Sequence, residues 1–265
     1  MLIGVHKWII PCNWKFAAEN FLGDTYHNVS HRSVDLIGIG PSAEAGVKGR
    51  RDNEMEKAQH VWANFPAGHG VHSAIMPQDW EFLNTYQNNP VVAEYFREAH
   101  AKRKERLGAE RHRLIPFVGT IWPNTSFHGN QPRNLCVWHP HGPESTEAWR
   151  FFLVDADAPQ EVKDFLRIYY MRYSGPAGMT EQDDMENWNY ATAGSRGVIA
   201  RRYPFNYQQS LGKVSTDAPV PGNVSVQVSE ENPRQFYRRW RDYMNGADWD
   251  TLLGRKDKEP ASFAA

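Results

Sequence analysis

The chain has 265 residues, enough for one large domain or two small ones with a sizeable core. Thirty Lys and Arg nearly balance 31 Asp and Glu, and no apolar run approaches the roughly 20 residues of a membrane helix, so neither a nucleic-acid nor a membrane partner is expected. The two cysteines, Cys12 and Cys136, are too few and too distant for a disulfide framework, which favours a cytoplasmic location with both thiols buried as small apolar groups.

The N-terminal third predicts a helix, a loop, a strand and a second helix. Apolar and polar residues at spacings of three and four predict a helix from Asn13 to Arg32. Gly and Pro residues then predict a loop over Gly38–Arg51, and alternating apolar residues predict a strand at 61–65. A helix is predicted over Pro90–His112.

The remaining chain predicts strands followed by helices. Three strands with turns between them are predicted at Phe117–Trp122, Leu135–His139 and Glu147–Val154. An amphipathic helix is predicted over Pro159–Tyr173, a second from Thr180 with a capping box between Thr180 and Asp183, a strand-rich part over Val198–Tyr207 and a closing helix over Asn232–Met244. This order predicts an α+β fold with an antiparallel sheet.

Two histidines form the first candidate site. On a helix, His27 and His31 would project from one face about one turn apart, a spacing that lets two imidazoles share a metal ion. Asp24 would lie on the same face, where it could accept the proton of a ring nitrogen not bound to metal. The residue after His27 is Asn28, so the general base of a zinc protease HExxH motif is missing. Two ligands leave the site incomplete.

An acidic stretch could supply the third ligand. Two histidines and one carboxylate make the facial triad of non-heme Fe(II) sites, which leaves three coordination positions open. The candidates are Asp183, Asp184 and Glu186, and spacing alone does not choose among them. The same acids are also explained by a helix N-terminus. The HGVH histidines, His69 and His72, and His139 with His141 flank predicted turns and are interpreted as surface or loop residues.

Six motifs follow one another along nearly the whole chain. They are Asn13-Trp14-Lys15-Phe16-Ala17-Ala18-Glu19-Asn20-Phe21, Gly23-Asp24-x-Tyr26-His27, Pro123-Asn124-x-Ser126-Phe127, Gly175-Pro176-Ala177-Gly178, Glu181-x-Asp183-Asp184-x-Glu186-Asn187-Trp188 and Arg201-Arg202-Tyr203-Pro204. Together, and in this order, they resemble the α (large) subunits of Rieske non-heme iron aromatic ring-hydroxylating dioxygenases. The resemblance implies a curved antiparallel sheet that grips helices, a helix-grip-like catalytic domain.

The resemblance also assigns roles to residues. It implies that His27, His31 and Asp184 bind a mononuclear Fe(II). The gap between the two histidines is at the compact end for the family. Asp24 matches the catalytic aspartate that links a ligand histidine to the Rieske-cluster histidine of a neighbouring subunit, which places it on the electron path.

Three further positions of the resemblance concern the substrate. Asn20 and Phe21 match positions near the iron and along the substrate pocket. Ser174 falls where many relatives carry a bulky pocket-lining side chain, so a serine there would leave more room.

The implied reaction is cis-dihydroxylation of an aromatic substrate by O₂, as in the catabolism of aromatic hydrocarbons. Relatives form homotrimers or α3β3 assemblies with a small β subunit and draw electrons from NADH through a reductase and often a ferredoxin. Two alternatives stay open: a Rieske-type monooxygenase or demethylase on the same triad, and a catalytically silent fragment that binds only iron and a hydrophobic ligand.

The sequence departs from the family in one respect. The CxH and CxxH ligands of the [2Fe–2S] cluster do not occur, and Cys12 lies far from Cys136. We therefore expect residues 1–265 to form a single non-heme iron catalytic domain without the N-terminal Rieske domain, which needs an external electron supply.

Overall fold

The computed structural model describes residues 1–36, 58–77, 89–130, 132–215, 220, 222–225 and 228–252. The predicted loop over Gly38–Arg51 lies outside these residues. Among the helices described, none is both long and apolar enough to cross a bilayer.

Within the described residues, nine antiparallel strands form one sheet. In chain order they are β1 (Leu2–Ile10), β2 (Gln59–Phe65), β3 (His69–Ile75), β4 (Leu114–Ile121), β5 (Thr125–His128), β6 (Asn134–Pro140), β7 (Thr146–Leu153), β8 (Val214–Ser215) and β9 (Asn223–Ser225). Their order across the sheet is β1-β7-β6-β5-β4-β3-β2-β9-β8. Strands β2 to β7 therefore lie side by side in chain order. The N-terminal strand β1 pairs with β7 and forms one edge of the sheet.

Seven α-helices in the described part of the chain accompany the sheet. They are α1 (Trp14–Asn20), α2 (Arg32–Leu36), α3 (Pro90–Arg111), α4 (Gln160–Tyr173), α5 (Met179–Gly194), α6 (Glu231–Met244) and α7 (Trp249–Leu252). Helix α1 packs against β6 and α5, and α6 packs against β2 and β3. Side chains from these elements form one buried cluster with Leu22, which follows α1; among its members are Ala17, Trp138, Trp188 and Phe236. The core thus anchors to the sheet both α1, which precedes the segment of His27 and His31, and α5, which carries Asp184.

Most sequence predictions of elements are confirmed. The α+β class with an antiparallel sheet is confirmed, as are the strands at 61–65, 117–122, 135–139 and 147–154 and the helices beginning near residues 90, 160 and 232. Both Cys12 and Cys136 are free and fully buried, as predicted. Strand β1, which the sequence analysis did not predict, alternates exposed with half-buried residues at the edge of the sheet.

Three predictions are wrong. The single helix over Asn13–Arg32 is broken: α1 ends at Asn20, and a 3-10 segment covers Thr25–His31. No strand forms over the described stretch Val198–Tyr207, which contains a 3-10 turn at 200–202 and leaves the side chains of Val198, Ile199, Tyr203 and Phe205 exposed.

The third error is the capping box. Helix α5 begins one residue earlier than predicted, with Gly178 as its N-cap. Thr180 therefore lies inside the first turn, and its hydroxyl has no hydrogen-bond partner among the described residues.

Candidate metal centre

A glycine turn separates α1 from the histidine segment. Gly23 has φ +104°, a conformation that L side chains rarely adopt, and a Cβ built on it would lie 2.6 Å from the Cβ of His72. The indole N–H of Trp62 donates to the Gly23 carbonyl oxygen at 2.5 Å. The turn, held against β2 and β3, redirects the chain so that the 3-10 segment places both histidines beside α5.

His27, His31 and Asp184 come together at this point. The Nε2 atoms of the two histidines lie 3.1 Å apart. The Oδ1 atom of Asp184 lies 3.2 Å from Nε2 of His27 and 3.1 Å from Nε2 of His31. Three donor atoms from two distant parts of the chain therefore form a nearly equilateral triangle.

Each histidine turns its other ring nitrogen toward a carboxylate. Nδ1 of His27 contacts both the side-chain Oδ1 and the backbone oxygen of Asp24, so it is the nitrogen that carries the proton. Nδ1 of His31 lies 3.3 Å from Oδ2 of Asp183. Carboxylates in these positions set the tautomer of a ligand histidine and leave Nε2 free to bind a metal.

Asn20 connects this carboxylate layer to the core. Its Nδ2 donates to Oδ1 of Asp24 at 3.0 Å, and its Oδ1 accepts a hydrogen bond from the indole of Trp188 at 2.9 Å. Trp188 lies on α5, one turn beyond Asp184, and is almost fully buried. The side chain of Asn20 is thus fixed from both ends.

The electrostatics favour a cation between these groups. Burial raises the pKa of Asp24 to about 6 even though His27 lowers it. Burial opposes the charge of His27, yet Asp184 and Asp24 raise its pKa to about 11. For Asp184, burial is outweighed by His27 and His31, which hold its pKa well below the usual range. The centre therefore stabilises positive charge strongly.

The donor set fits a divalent metal ion. With metal–ligand bonds of about 2.1 Å at right angles, donors on one octahedral face lie roughly 3.0 Å apart, close to the edges of this triangle. Oδ1 of Asp184 is buried and accepts no well-aligned hydrogen bond from a described residue, although both Nε2 atoms lie near it. Among the described residues, His27, His31 and Asp184 are the group of three or more ligand side chains that could hold one ion.

The predicted substrate residues occupy different surroundings. Asn20 adjoins the triad through His27, whose ring nitrogens lie 3.4 Å from its Nδ2. Phe21 is buried between the rings of His128 and Trp138. Ser174 is 2% exposed and caps the C-terminus of α4, where its backbone N–H donates to the backbone oxygen of Tyr170. Contact of these residues with a substrate stays a prediction.

Two residues of the site were not assigned by sequence. Trp188 was quoted within a motif but received no role, and Asp183 was left as one possible ligand, whereas the structure places it behind His31. The expectation that His72 is a surface or loop residue is wrong: it lies on β3, 2% exposed, and stacks on Trp62 at 4.5 Å. Only the fold shows that β3 is covered by the glycine turn.

A cavity of about 470 Å³ lies at the N-terminal end of α1, whereas the histidine segment follows its C-terminal end. Phe16, Phe205, Tyr207 and Tyr237 supply its aromatic lining. None of the three triad residues lines it, so it is separate from the candidate metal centre.

Comparison with known proteins shows which family the chain matches. Residues 4–246 match the family model described as the ring hydroxylating alpha subunit (catalytic domain). The chain is 37% identical over 262 residues to the biphenyl dioxygenase subunit alpha of Paraburkholderia xenovorans, and 38% identical over 258 residues to the benzene 1,2-dioxygenase subunit alpha of Pseudomonas putida. The matches cover 94% of this chain but 54% and 55% of those proteins, so the chain spans about half the length of these curated relatives.

Solved structures show the same fold. A naphthalene 1,2-dioxygenase variant bound to phenanthrene superposes with a TM-score of 0.78 at 24% identity, covering 96% of this chain and 58% of that one. The naphthalene 1,2-dioxygenase from Rhodococcus sp. bound to indole gives a TM-score of 0.70 at 29% identity, covering 92% of this chain and 56% of that one.

Proposed function

The chain belongs to the family of ring-hydroxylating α subunits, whose catalytic domain it matches, and we propose that it hydroxylates an aromatic ring at a mononuclear Fe(II). The observation that carries the proposal is the triangle of His27 Nε2, His31 Nε2 and Asp184 Oδ1, with edges of 3.1–3.2 Å. These three side chains would hold the ion through one face and leave three positions open. Bound iron would supply the activation of dioxygen.

The chain's own residues would set the conditions for that chemistry. Asp24 holds the Nδ1 proton of His27 and so keeps Nε2 directed at the ion, and Asp183 supports His31 in the same way. Asn20 and Trp188 keep Asp24 in position. The buried apolar cluster that contains Phe21 and Trp138 would limit the access of water to the metal centre from the protein interior.

The substrate proposed is an uncharged aromatic hydrocarbon and the product its cis-dihydrodiol, formed from the ring, O₂, two electrons and two protons. The support comes from relatives named for biphenyl and benzene at 37–38% identity. Asn20, Phe21 and Ser174 are the proposed pocket residues. Asp24 is the proposed entry point for electrons, because its carboxylate touches His27.

The electron source and the partners belong to the same proposal. A Rieske [2Fe–2S] cluster needs two Cys and two His, and the two cysteines of this chain are both free and buried. We propose that electrons reach the iron from a cluster outside residues 1–265. A reductase and a ferredoxin would reduce that cluster. The relatives are named as α subunits, which supports a homotrimer or an α3β3 assembly with a β subunit. The two free thiols suit a reducing cytoplasm.

Iron content provides the first test. The protein is loaded with Fe(II) under anaerobic conditions, desalted and assayed for iron by mass spectrometry. We expect about one iron per chain, and loss of that iron in His27→Ala, His31→Ala and Asp184→Ala. His141→Ala is the matched control, because His141 is a half-exposed histidine outside the centre. Full iron in both His27→Ala and Asp184→Ala would refute the ligand assignment.

The reaction is tested with peroxide, which replaces O₂ and two electrons, because an arene and H₂O₂ together have the composition of the cis-dihydrodiol. Iron-loaded protein, biphenyl or benzene, and H₂¹⁸O₂ are combined, and products are separated by mass. We expect a dihydrodiol that carries both labelled oxygens. A product with a single labelled oxygen would favour monooxygenation, and no product in any arm would refute the oxygenase proposal.

A further inference from the structure

A buried ion pair ties the helix of Asp184 to the sheet. Arg150 on β7 is fully buried, and its Nη2 donates to Oε1 of Glu181 at 2.7 Å. Glu181 is 2% exposed and lies in the first turn of α5. The pair therefore joins β7, the neighbour of the edge strand β1, to the first turn of α5, which precedes Asp184.

Arg150 has little else to balance its charge. Its Nε and Nη1 have no hydrogen-bond partner among the described residues. Aromatic rings surround the guanidinium instead, with Cζ 5.5 Å from the ring centre of Phe21, 5.8 Å from that of Trp138 and 6.0 Å from that of Trp8. In the described part of the chain, Glu181 is the carboxylate that forms an ion pair with Arg150.

Asp184 is close enough to interact electrostatically with the Arg150–Glu181 pair. Glu181 and Asp184 are three residues apart on α5, so they share a helix face with about 5–6 Å between their Cβ atoms. Burial opposes the charge of Arg150, whereas Glu181, then Cys136 and, least strongly, Asp184 raise its pKa above the usual value. Arg150 and Asp184 therefore already attract each other through the protein interior.

We propose that Glu181 is the counterion that prevents the Arg150 guanidinium from competing with the metal for Asp184. This makes Glu181 a positioning residue of the metal centre, and the inference rests on the proposed function. Without the Glu181 carboxylate, Arg150 would keep its charge in a dry interior, since a guanidinium is not deprotonated in proteins. Asp184 would be the buried carboxylate left to attract it, and a carboxylate engaged by arginine binds a metal ion less well.

Cobalt(II) is a suitable probe because its visible d–d spectrum reports the ligand geometry without any turnover. Co²⁺ is titrated into wild type, Glu181→Gln and the double variant Arg150→Met/Glu181→Leu. The double variant removes both charges and substitutes apolar groups, an exchange that buried ion pairs often tolerate in stability. Glu144→Gln is the matched control, because Glu144 pairs with Arg196 at 2.9 Å on the surface just beyond the other end of α5.

We expect Glu181→Gln to weaken Co²⁺ binding by about 10-fold or more, the range in which supporting residues act on metal sites, and to alter the d–d bands. The double variant should bind within about 3-fold of wild type, because the competing cation is gone, and Glu144→Gln should be unchanged. A merely structural pair predicts the reverse order, with the double variant at least as weak as the single one. Each variant is compared after its thermal unfolding transition has been recorded.

Two results would overturn the proposal. One is a folded Glu181→Gln that binds Co²⁺ like wild type with the same spectrum. The other is a folded double variant that is 10-fold weaker than wild type, and this result decides the matter even if Glu181→Gln does not fold. Failure of the proposed function looks different, because wild-type protein itself would then bind no Co²⁺, or His27→Ala would bind it as tightly as wild type.

Discussion

Trp62 holds Gly23 from a position 39 residues further along the chain, through a hydrogen bond from its indole N–H to the Gly23 carbonyl oxygen. Gly23 lies between the end of α1 at Asn20 and the start, at Thr25, of the 3-10 segment that bears His27. Its φ of +104° and the close approach of His72 leave no room for a side chain. The direction in which the histidines leave α1 thus depends on a contact with the second strand of the sheet.

Gly23→Ala should therefore be costly. Backbone strain at positive φ and overpacking against His72 together predict a loss of about 2–5 kcal/mol in the free energy of unfolding, measured with urea. Gly142→Ala is the control, because Gly142 has φ +87° but nothing within 4 Å of its added Cβ. That variant should lose only the strain, about 1 kcal/mol. Equal losses in the two variants would contradict the packing argument.

The two carboxylates behind the histidines, Asp24 and Asp183, should differ in how much they contribute to Fe(II) affinity. Asp24 contacts Nδ1 of His27 through two oxygen atoms, whereas Asp183 approaches Nδ1 of His31 only at 3.3 Å. We expect Asp24→Asn to weaken Fe(II) binding by about 10-fold or more and Asp183→Asn by less than about 3-fold. Competition of each apoprotein against a chelator of known affinity measures both. A larger effect for Asp183→Asn would reverse the order of importance.

His72 should make the protein sensitive to acid. Burial, with a smaller contribution from His60, lowers the pKa of His72 to about 3. The unfolded chain protonates this group near pH 6.5, so the unfolded state binds more protons and stability falls as the pH drops below that value. The slope from this one group is at most about 1.4 kcal/mol per pH unit down to about pH 3.

The variant His72→Phe isolates that contribution. It keeps an aromatic ring against Trp62 and removes the titrating nitrogen, so its free energy of unfolding should fall less steeply between pH 6.5 and 4.5 than that of wild type. Parallel pH profiles for wild type and His72→Phe would show that His72 does not titrate in this range.

Trp188 should contribute to stability through its indole N–H, which donates to Oδ1 of Asn20. Trp188→Phe deletes the indole N–H and leaves Oδ1 of Asn20 without its donor, which should cost about 1–3 kcal/mol of stability. A double-mutant cycle with Asn20→Ala should return a coupling energy of about 1 kcal/mol. Trp249→Phe, at a tryptophan that is 63% exposed, is the control and should change stability by less than about 0.5 kcal/mol. Zero coupling in the cycle would contradict the contact.

Many strands and helices were predictable because their apolar residues recur at the spacing of a strand or a helix over a short stretch of sequence. The alternation in residues 135–139 and 147–154 predicts β6 and β7, and the amphipathic stretch after Pro159 predicts α4. The failures occur where a local pattern competes with a distant contact. The apolar spacing of 13–32 is helical, but the turn at Gly23 is held by β2 and β3.

The candidate site divides in the same way. By itself, the sequence indicated which side chains could hold a metal: His27 and His31, four residues apart, and an acidic stretch from which the family motif selects Asp184. Only the tertiary structure decided how those atoms meet, that Asp183 lies behind His31, and that Arg150 and Glu181 form a buried pair beside Asp184. The physical reason is that spacing along the chain governs neighbours within a turn or two, whereas contacts across 150 residues depend on how the helices pack on the sheet.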